Sequence, residues 1–287
     1  MTYFSIVLEQ IFIFVIYAVT MSVLSALPTM TSVTMLAQIQ KSADELKERE
    51  KHMKPKIILF DLDGTLLPMD QDVFVKYYFG CLAAKMIPCG YDAKKLVEGI
   101  WTGIAGMVQN DGSCTNEEAF WKCFSGIFGD RVFADKPLFE EFYRVEFQQA
   151  RKVCGFDPLA SETVNRLKEM GLRVVLATNP VFPAIATESR IRWAGLEPES
   201  FEWYTTYENS HYCKPNPDYY REIMQRLGCA PKDCLMVGND VEEDMAAETL
   251  GMRVFLLTNC LINKEEKDIS VYPHGNLEDL MRYIENM

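Results

Sequence analysis

Residues 57–67 read IILFDLDGTLL: four apolar residues run directly into two aspartates one residue apart, with Gly64 and the hydroxyl of Thr65 behind them. A short apolar run of this kind suits a strand buried on both faces. Carboxylates at the end of such a strand are costly to desolvate. Asp61 and Asp63 therefore imply a chemical demand for negative charge at that place.

Similar runs recur downstream at LRVVLA (172–177), CLMV (234–237) and RVFLL (253–257), with a weaker candidate at EWYTT (202–206). Near-continuous apolar runs alternating with helical patterns predict an α/β fold whose parallel sheet is covered on both faces. Gly171, Gly195, Gly228 and Gly251 each come after a helical pattern, where a left-handed C-terminal residue belongs. Between about 71 and 155 the strand signal vanishes, and helices are expected near 72–87, 92–108, 115–128 and 135–152. Thr115 and Glu118 form a capping-box pattern, and Asp135 with Pro137 suggests the start of the last of these helices. The aromatic residues of this stretch (Tyr77, Tyr78, Phe79, Trp101, Trp121, Phe124) recur at helical spacing and read first as core. Cys81 and Cys123 read as packing. The sheet pattern then resumes, so the helical stretch is an insertion after the first strand.

In a parallel sheet, ligands bind beyond the carboxyl ends of the strands. The residues just past each apolar run can therefore be read as one rim: Asp61, Asp63 and Thr65; then Thr178 and Asn179; then Gly238, Asn239 and Asp240, with Asp244 four residues on. Lys214 stands between the second and third groups, in HYCKPNPDYY. Any one of these could be an ordinary helix cap or a solvated lysine. Together, several acids, two hydroxyls, two amides and a lysine on one rim suit phosphoryl transfer. Carboxylates can hold Mg²⁺, and hydroxyl, amide and ammonium groups can hold the transferring oxygens.

DLDGT, with a strand-terminal threonine, an isolated Lys-Pro and the acidic cluster GND-x-x-x-D downstream of it, resembles the haloacid dehalogenase superfamily of phosphohydrolases over roughly 54–287. The resemblance implies a Rossmann-like core, residues 54–70 and 156–287, with an α-helical cap over 71–155. It implies Asp61 as nucleophile and Asp63 as general acid and base. Thr178, Lys214 and Asn179 would hold phosphate, and Mg²⁺ would lie on Asp61, Asp63 (through its backbone carbonyl), Asp240 and Asp244. Asn239 stands where the family's acidic motif more often has aspartate, which leaves open whether 239 or 240 meets the metal. Dehalogenation in that family uses the nucleophile without metal or second acid, so Asp63 and the 240/244 pair point to phosphate chemistry on a small phosphorylated metabolite. A phosphomutase shares the constellation, and a non-catalytic membrane-associated module that kept the fold is the alternative of another class.

The net charge of −12 disfavours a nucleic-acid partner. Nine irregularly spaced cysteines without a CxxC read as reduced thiols of a cytoplasmic protein. Residues 1–53 stand apart: an uncharged apolar run over 11–27, then a charged linker. The run is at the short end for a membrane span and has no preceding basic residue, unlike a secretory signal. Two readings stand for it, a membrane anchor with the catalytic domain facing the cytoplasm or a misplaced start. In either, residues 1–52 are expected to be separate from catalysis. The sequence carries no reading of oligomeric state.

Overall fold

The computed structural model describes residues 40–41 and 54–287; the apolar run 11–27 lies outside the described residues, as does most of the charged linker. Lys54–Met287 form one compact unit. Its centre is a five-stranded parallel sheet of order β2-β1-β3-β4-β5. The strands are β1 (Ile57–Phe60), β2 (Arg173–Leu176), β3 (Cys234–Gly238), β4 (Arg253–Leu257) and the two-residue β5 (His274–Gly275). β5 is too short to leave a periodic signal, so the sequence did not announce it. EWYTT runs beside β2 but pairs with it only as an isolated bridge at Tyr204. It departs at Thr205, whose hydroxyl turns to the Thr178 carbonyl at 2.6 Å.

Alternate residues of the strands divide between two apolar clusters. Ile58, Phe60, Val174, Leu176, Leu235 and Val237 face one, and Ile57, Leu59, Val175, Cys234 and Met236 face the other. This is why the runs are apolar throughout. The first face is covered by α5 (Pro158–Glu169), α6 (Ala184–Trp193) and α8 (Leu277–Glu285), the second by α7 (Pro217–Leu227). The four glycines expected after helices all take positive φ, although the segment before Gly251 is a 3-10 turn, Met245–Leu250.

Four helices lie between β1 and α5: α1 (Gln71–Met86), α2 (Ala93–Val108), α3 (Asn116–Phe128) and α4 (Arg131–Arg144), with a 3-10 segment over Glu146–Val153. Thr115 and Glu118 form the capping box at the head of α3. The expectation for Asp135 and Pro137 is corrected. α4 begins at Arg131, and Pro137 lies inside it. The Asp135 carboxylate accepts instead from Arg131 Nε at 3.1 Å, one helical turn back, and from Tyr91 OH at 2.7 Å. The Arg131 pair has the i,i+4 spacing of one turn inside a helix, as the start of α4 at Arg131 allows. Phe74, Tyr78, Leu82, Phe124, Phe142 and Phe147 of this stretch join the cluster on the first sheet face.

The register fixes the rim. Phe60 stands beside Leu176 on one side and Val237 on the other, so the residues after β1, β2 and β3 emerge at one level.

Candidate active site

β1 delivers Asp61 directly. Thr65, Leu66 and Leu67 all donate backbone N–H groups to the Leu62 carbonyl (3.2, 3.0 and 2.8 Å), and Gly64 donates to Leu67 at 2.8 Å, closing a tight turn that carries Asp63. Gly64 has φ of +84°, and a Cβ there would collide with the Asn239 side-chain amide. Both facts require glycine.

Lys214 lies under this turn, buried at 1% exposure. Its Nζ donates to Asp61 Oδ1 at 2.9 Å and to Asp244 Oδ1 at 2.6 Å. Burial opposes its charge, but the carboxylates of Asp244 and Asp61 outweigh that and hold the ammonium well above the usual lysine value. Asp244, equally buried, also accepts the Asp240 backbone N–H at 3.0 Å, and its carboxylate lies against Gly238, where any Cβ would displace it. Burial pushes Asp244 up to about 6 although Lys214 pulls it down. Thr65 Oγ1 stands 3.1 Å from Asp61 Oδ2 and 2.9 Å from Asn239 Oδ1, so its single proton serves one at a time.

Asp63 has a partner that the sequence did not suggest. Arg190 of α6, buried at 1% exposure, donates through a guanidinium NH₂ group to Asp63 Oδ2, rests over the Phe182 ring and donates to Ala186 O and Thr187 Oγ1. Burial of Asp63 raises its carboxyl above the usual range, against the pull of Arg190. Asp63 Oδ1 keeps no hydrogen-bond partner among the described residues.

The third strand end divides its labour. Asn239 is locked into the scaffold, with Oδ1 facing Thr65 and Nδ2 donating to Cys260 O at 2.6 Å. Asp240 caps the next turn, its Oδ1 accepting from the Glu242 and Glu243 backbone N–H groups, both at 2.8 Å. Burial raises its carboxyl too. Asn179 donates to Glu243 Oε2 at 2.9 Å and leaves its own Oδ1 buried without a partner, so its amide is already engaged. Burial pushes Glu243 up to about 7. The Thr178 carbonyl accepts from Thr205 and from Tyr219 OH at 2.9 Å, and its side chain lines the same pocket as the acids.

A family model for haloacid dehalogenase-like hydrolases matches residues 55–251. The chain belongs to that family. It is 25% identical to a glyceraldehyde 3-phosphate phosphatase of Methanothermobacter thermautotrophicus, over 74% of this chain and 89% of that one. It is also 25% identical to phosphoglycolate phosphatase 1 of Pseudomonas aeruginosa, over 71% and 70%. Among solved structures, a 2-haloacid dehalogenase from Pseudomonas syringae pv. Tomato DC3000 shares the fold, with a TM-score of 0.53 at 20% identity over 80% of this chain and 99% of that one.

In this haloacid dehalogenase-like hydrolase the rim opens into a pocket of about 320 Å³. Asp61, Asp63, Asp240, Glu243 and Asp244 line it, together with apolar residues of α1 and α2. Three of these carboxyl groups besides Asp63 are held above their ordinary values by burial, and two acceptor oxygens lack partners. An acid-rich, donor-poor lining of this kind fits a hard divalent cation. Among the described residues, no three His, Cys, Asp or Glu side chains are gathered closely enough to hold an ion alone. Backbone carbonyl, water or substrate oxygens would complete the shell.

Arg190 and Glu243 were not among the residues selected from the sequence. Arg190 shares a helical stripe with Ala186 and Trp193, four before and three after it, and that apolar spacing was a usable sign of burial. Glu243 sits in an acidic run whose members sequence alone does not rank.

Proposed function

We propose that this hydrolase is a Mg²⁺-dependent phosphatase of small phosphate monoesters, working through an aspartyl-phosphate on Asp61. The observation that carries the reading is the pairing of Asp61 with buried Lys214 beside a second, separately held acid, Asp63. The curated relatives named as phosphatases support the same chemistry.

The Asp61 carboxylate attacks phosphorus, and the bond from phosphorus to the ester oxygen breaks. Asp63 gives its proton to that departing oxygen. Water then attacks the phosphoryl group, Asp63 takes the water's proton, and the bond to Asp61 breaks to release inorganic phosphate. Burial, which raises Asp63, favours the protonated form the first step needs, while Arg190 fixes its orientation. Lys214 and Thr178 would hold the transferring oxygens. Asn179, whose donor is spent on Glu243, would act by placing that acid. Bound Mg²⁺ would rest on the carboxylates of Asp61 and Asp240 and the Asp63 backbone carbonyl, with Asp244 held behind them, and would neutralise charge on the phosphoryl group. Asp240 suits this better than Asn239, whose side chain is spent on Thr65 and Cys260. Residues 71–155 would form a cap that excludes water while the phosphoenzyme exists.

The test is hydrolysis of p-nitrophenyl phosphate with Mg²⁺ and with chelator. Release of phosphate that depends on the metal is expected. Absence of turnover in both conditions would overturn the reading.

A further inference from the structure

We propose that the alcohol released by this enzyme is apolar and uncharged, an aromatic or branched aliphatic group bearing no carboxylate and no second phosphate. This rests on the phosphatase reading and specifies its substrate class.

The pocket has two unlike parts. Its floor is the acidic rim. Its remaining wall is mostly apolar, with Phe74, Phe79, Trp101, Ile104, Val108 and Phe182, and its polar members Gln71 and Tyr78 carry no positive charge. A leaving group extending from phosphate bound at the rim meets that wall. Trp101 and Val108 line the pocket while remaining 49% and 46% exposed, apolar surface that a bound apolar group would remove from water. Trp101 is backed by the Phe79 ring at 5.6 Å, which leaves a supported aromatic plane for a flat group.

The cations argue the same way by exclusion. A leaving group with its own carboxylate or phosphate needs a positive partner, because burying an unpaired anion against hydrocarbon is costly. Lys214 is committed to Asp61 and Asp244, and Arg190 to Asp63. Lys264 is the one basic side chain on the pocket lining among the described residues. It belongs to the segment whose Ile262 pairs with Asp240, so it stands on the acidic side, where the phosphoryl group itself needs charge. No cation on that wall would receive a second anion.

The experiment compares kcat/KM for 2-phenylethyl phosphate, methyl phosphate, glycerol 3-phosphate and phosphoglycolate, with p-nitrophenyl phosphate as the reference ester. The phenylethyl ester should exceed both glycerol 3-phosphate and phosphoglycolate by at least about tenfold. Trp101→Ala should lower kcat/KM for the phenylethyl ester by about tenfold, chiefly through KM, and leave methyl phosphate within about twofold. Val108→Lys, at a half-exposed position that tolerates a long polar chain, should shift the ratio toward phosphoglycolate. Faster turnover of phosphoglycolate or glycerol 3-phosphate by the unaltered enzyme, or equal losses on both esters in Trp101→Ala, would overturn the proposal. Hydrolysis of p-nitrophenyl phosphate with a preference for anionic esters would overturn this inference alone, whereas hydrolysis of no ester at all would overturn the phosphatase reading as well.

Discussion

Lys214 and Phe124 are both buried, yet they are held by opposite means. Lys214 lies between two carboxylates at fixed distances, and each contact has a direction and a sign. Phe124 lies among Phe120, Trp121, Phe128 and Phe139, with ring centroids 4.8 to 5.7 Å apart in stacked, tilted and edge-on arrangements. The rim of the sheet is made of discrete pairings, and the inserted helices of dispersed packing in which many neighbours share the load. The arrangement of the rim therefore depends on single atoms. The helices that face it depend on shape and apolar area.

The largest break in this comparison should come from Asp61→Asn. The amide is nearly the same size but cannot act as the attacking carboxylate, so turnover of p-nitrophenyl phosphate should fall by about 10⁴-fold or more. The urea midpoint should stay close to that of the parent, since Lys214 keeps Asp244. Substantial residual turnover would remove Asp61 from its role. Phe124→Ala should do the reverse. It opens a cavity in the aromatic cluster and should cost about 3–5 kcal/mol of unfolding free energy, read by urea titration. A loss below about 1 kcal/mol would mean that the inserted helices are less tightly packed than their rings indicate.

Gly238→Ala tests whether the rim tolerates displacement. A Cβ there meets the Asp244 carboxylate and would push it from Lys214 and from the Asp240 N–H. A cost of about 1–3 kcal/mol is expected, with a fall in turnover that Phe124→Ala, corrected for folded fraction, should not show. Unchanged turnover would mean that Asp244 need not sit where it does.

The smallest effect concerns Glu208, which accepts the Ala184 N–H at the head of α6 through both oxygens, at 2.9 and 3.0 Å. Burial raises its carboxyl above the usual value despite that bond. The folded chain therefore binds this proton more tightly than the unfolded chain, whose glutamate titrates near about 4.3. The group's contribution to stability must then fall as pH rises from about 4 through the raised value. Glu208→Gln does not titrate, so its Tm relative to the parent should improve between pH 4 and pH 8. A constant or shrinking difference would contradict the burial argument.

The same contrast explains what the sequence disclosed. β1 to β4 were legible because strands buried on both faces must be apolar throughout, and Asp61 because a carboxylate is out of place at the end of one; Lys214 was singled out only by its position in the chain between the second and third rim groups. Helix positions in the insertion came from spacing, except at α4, where Pro137 read as a start and lies in the interior. Arg190 was hidden because an arginine in a helix is ordinarily solvated, and only its contact across 127 residues of chain with Asp63 makes it otherwise. The apolar wall was visible only as aromatic core, since periodicity shows that a ring is turned inward but not whether it meets a neighbour or a cavity.

Complete enclosure of the Lys214 ammonium has a consequence outside catalysis. Acylating reagents need an accessible, unprotonated amine, and this one is neither while the chain is folded. In a mixture labelled with an activated ester, surface lysines such as Lys56 would react at once and Lys214 only in molecules whose rim had come apart. The extent of acylation at that one residue, read by mass spectrometry, would then serve as an internal clock for opening of the rim, independent of any substrate.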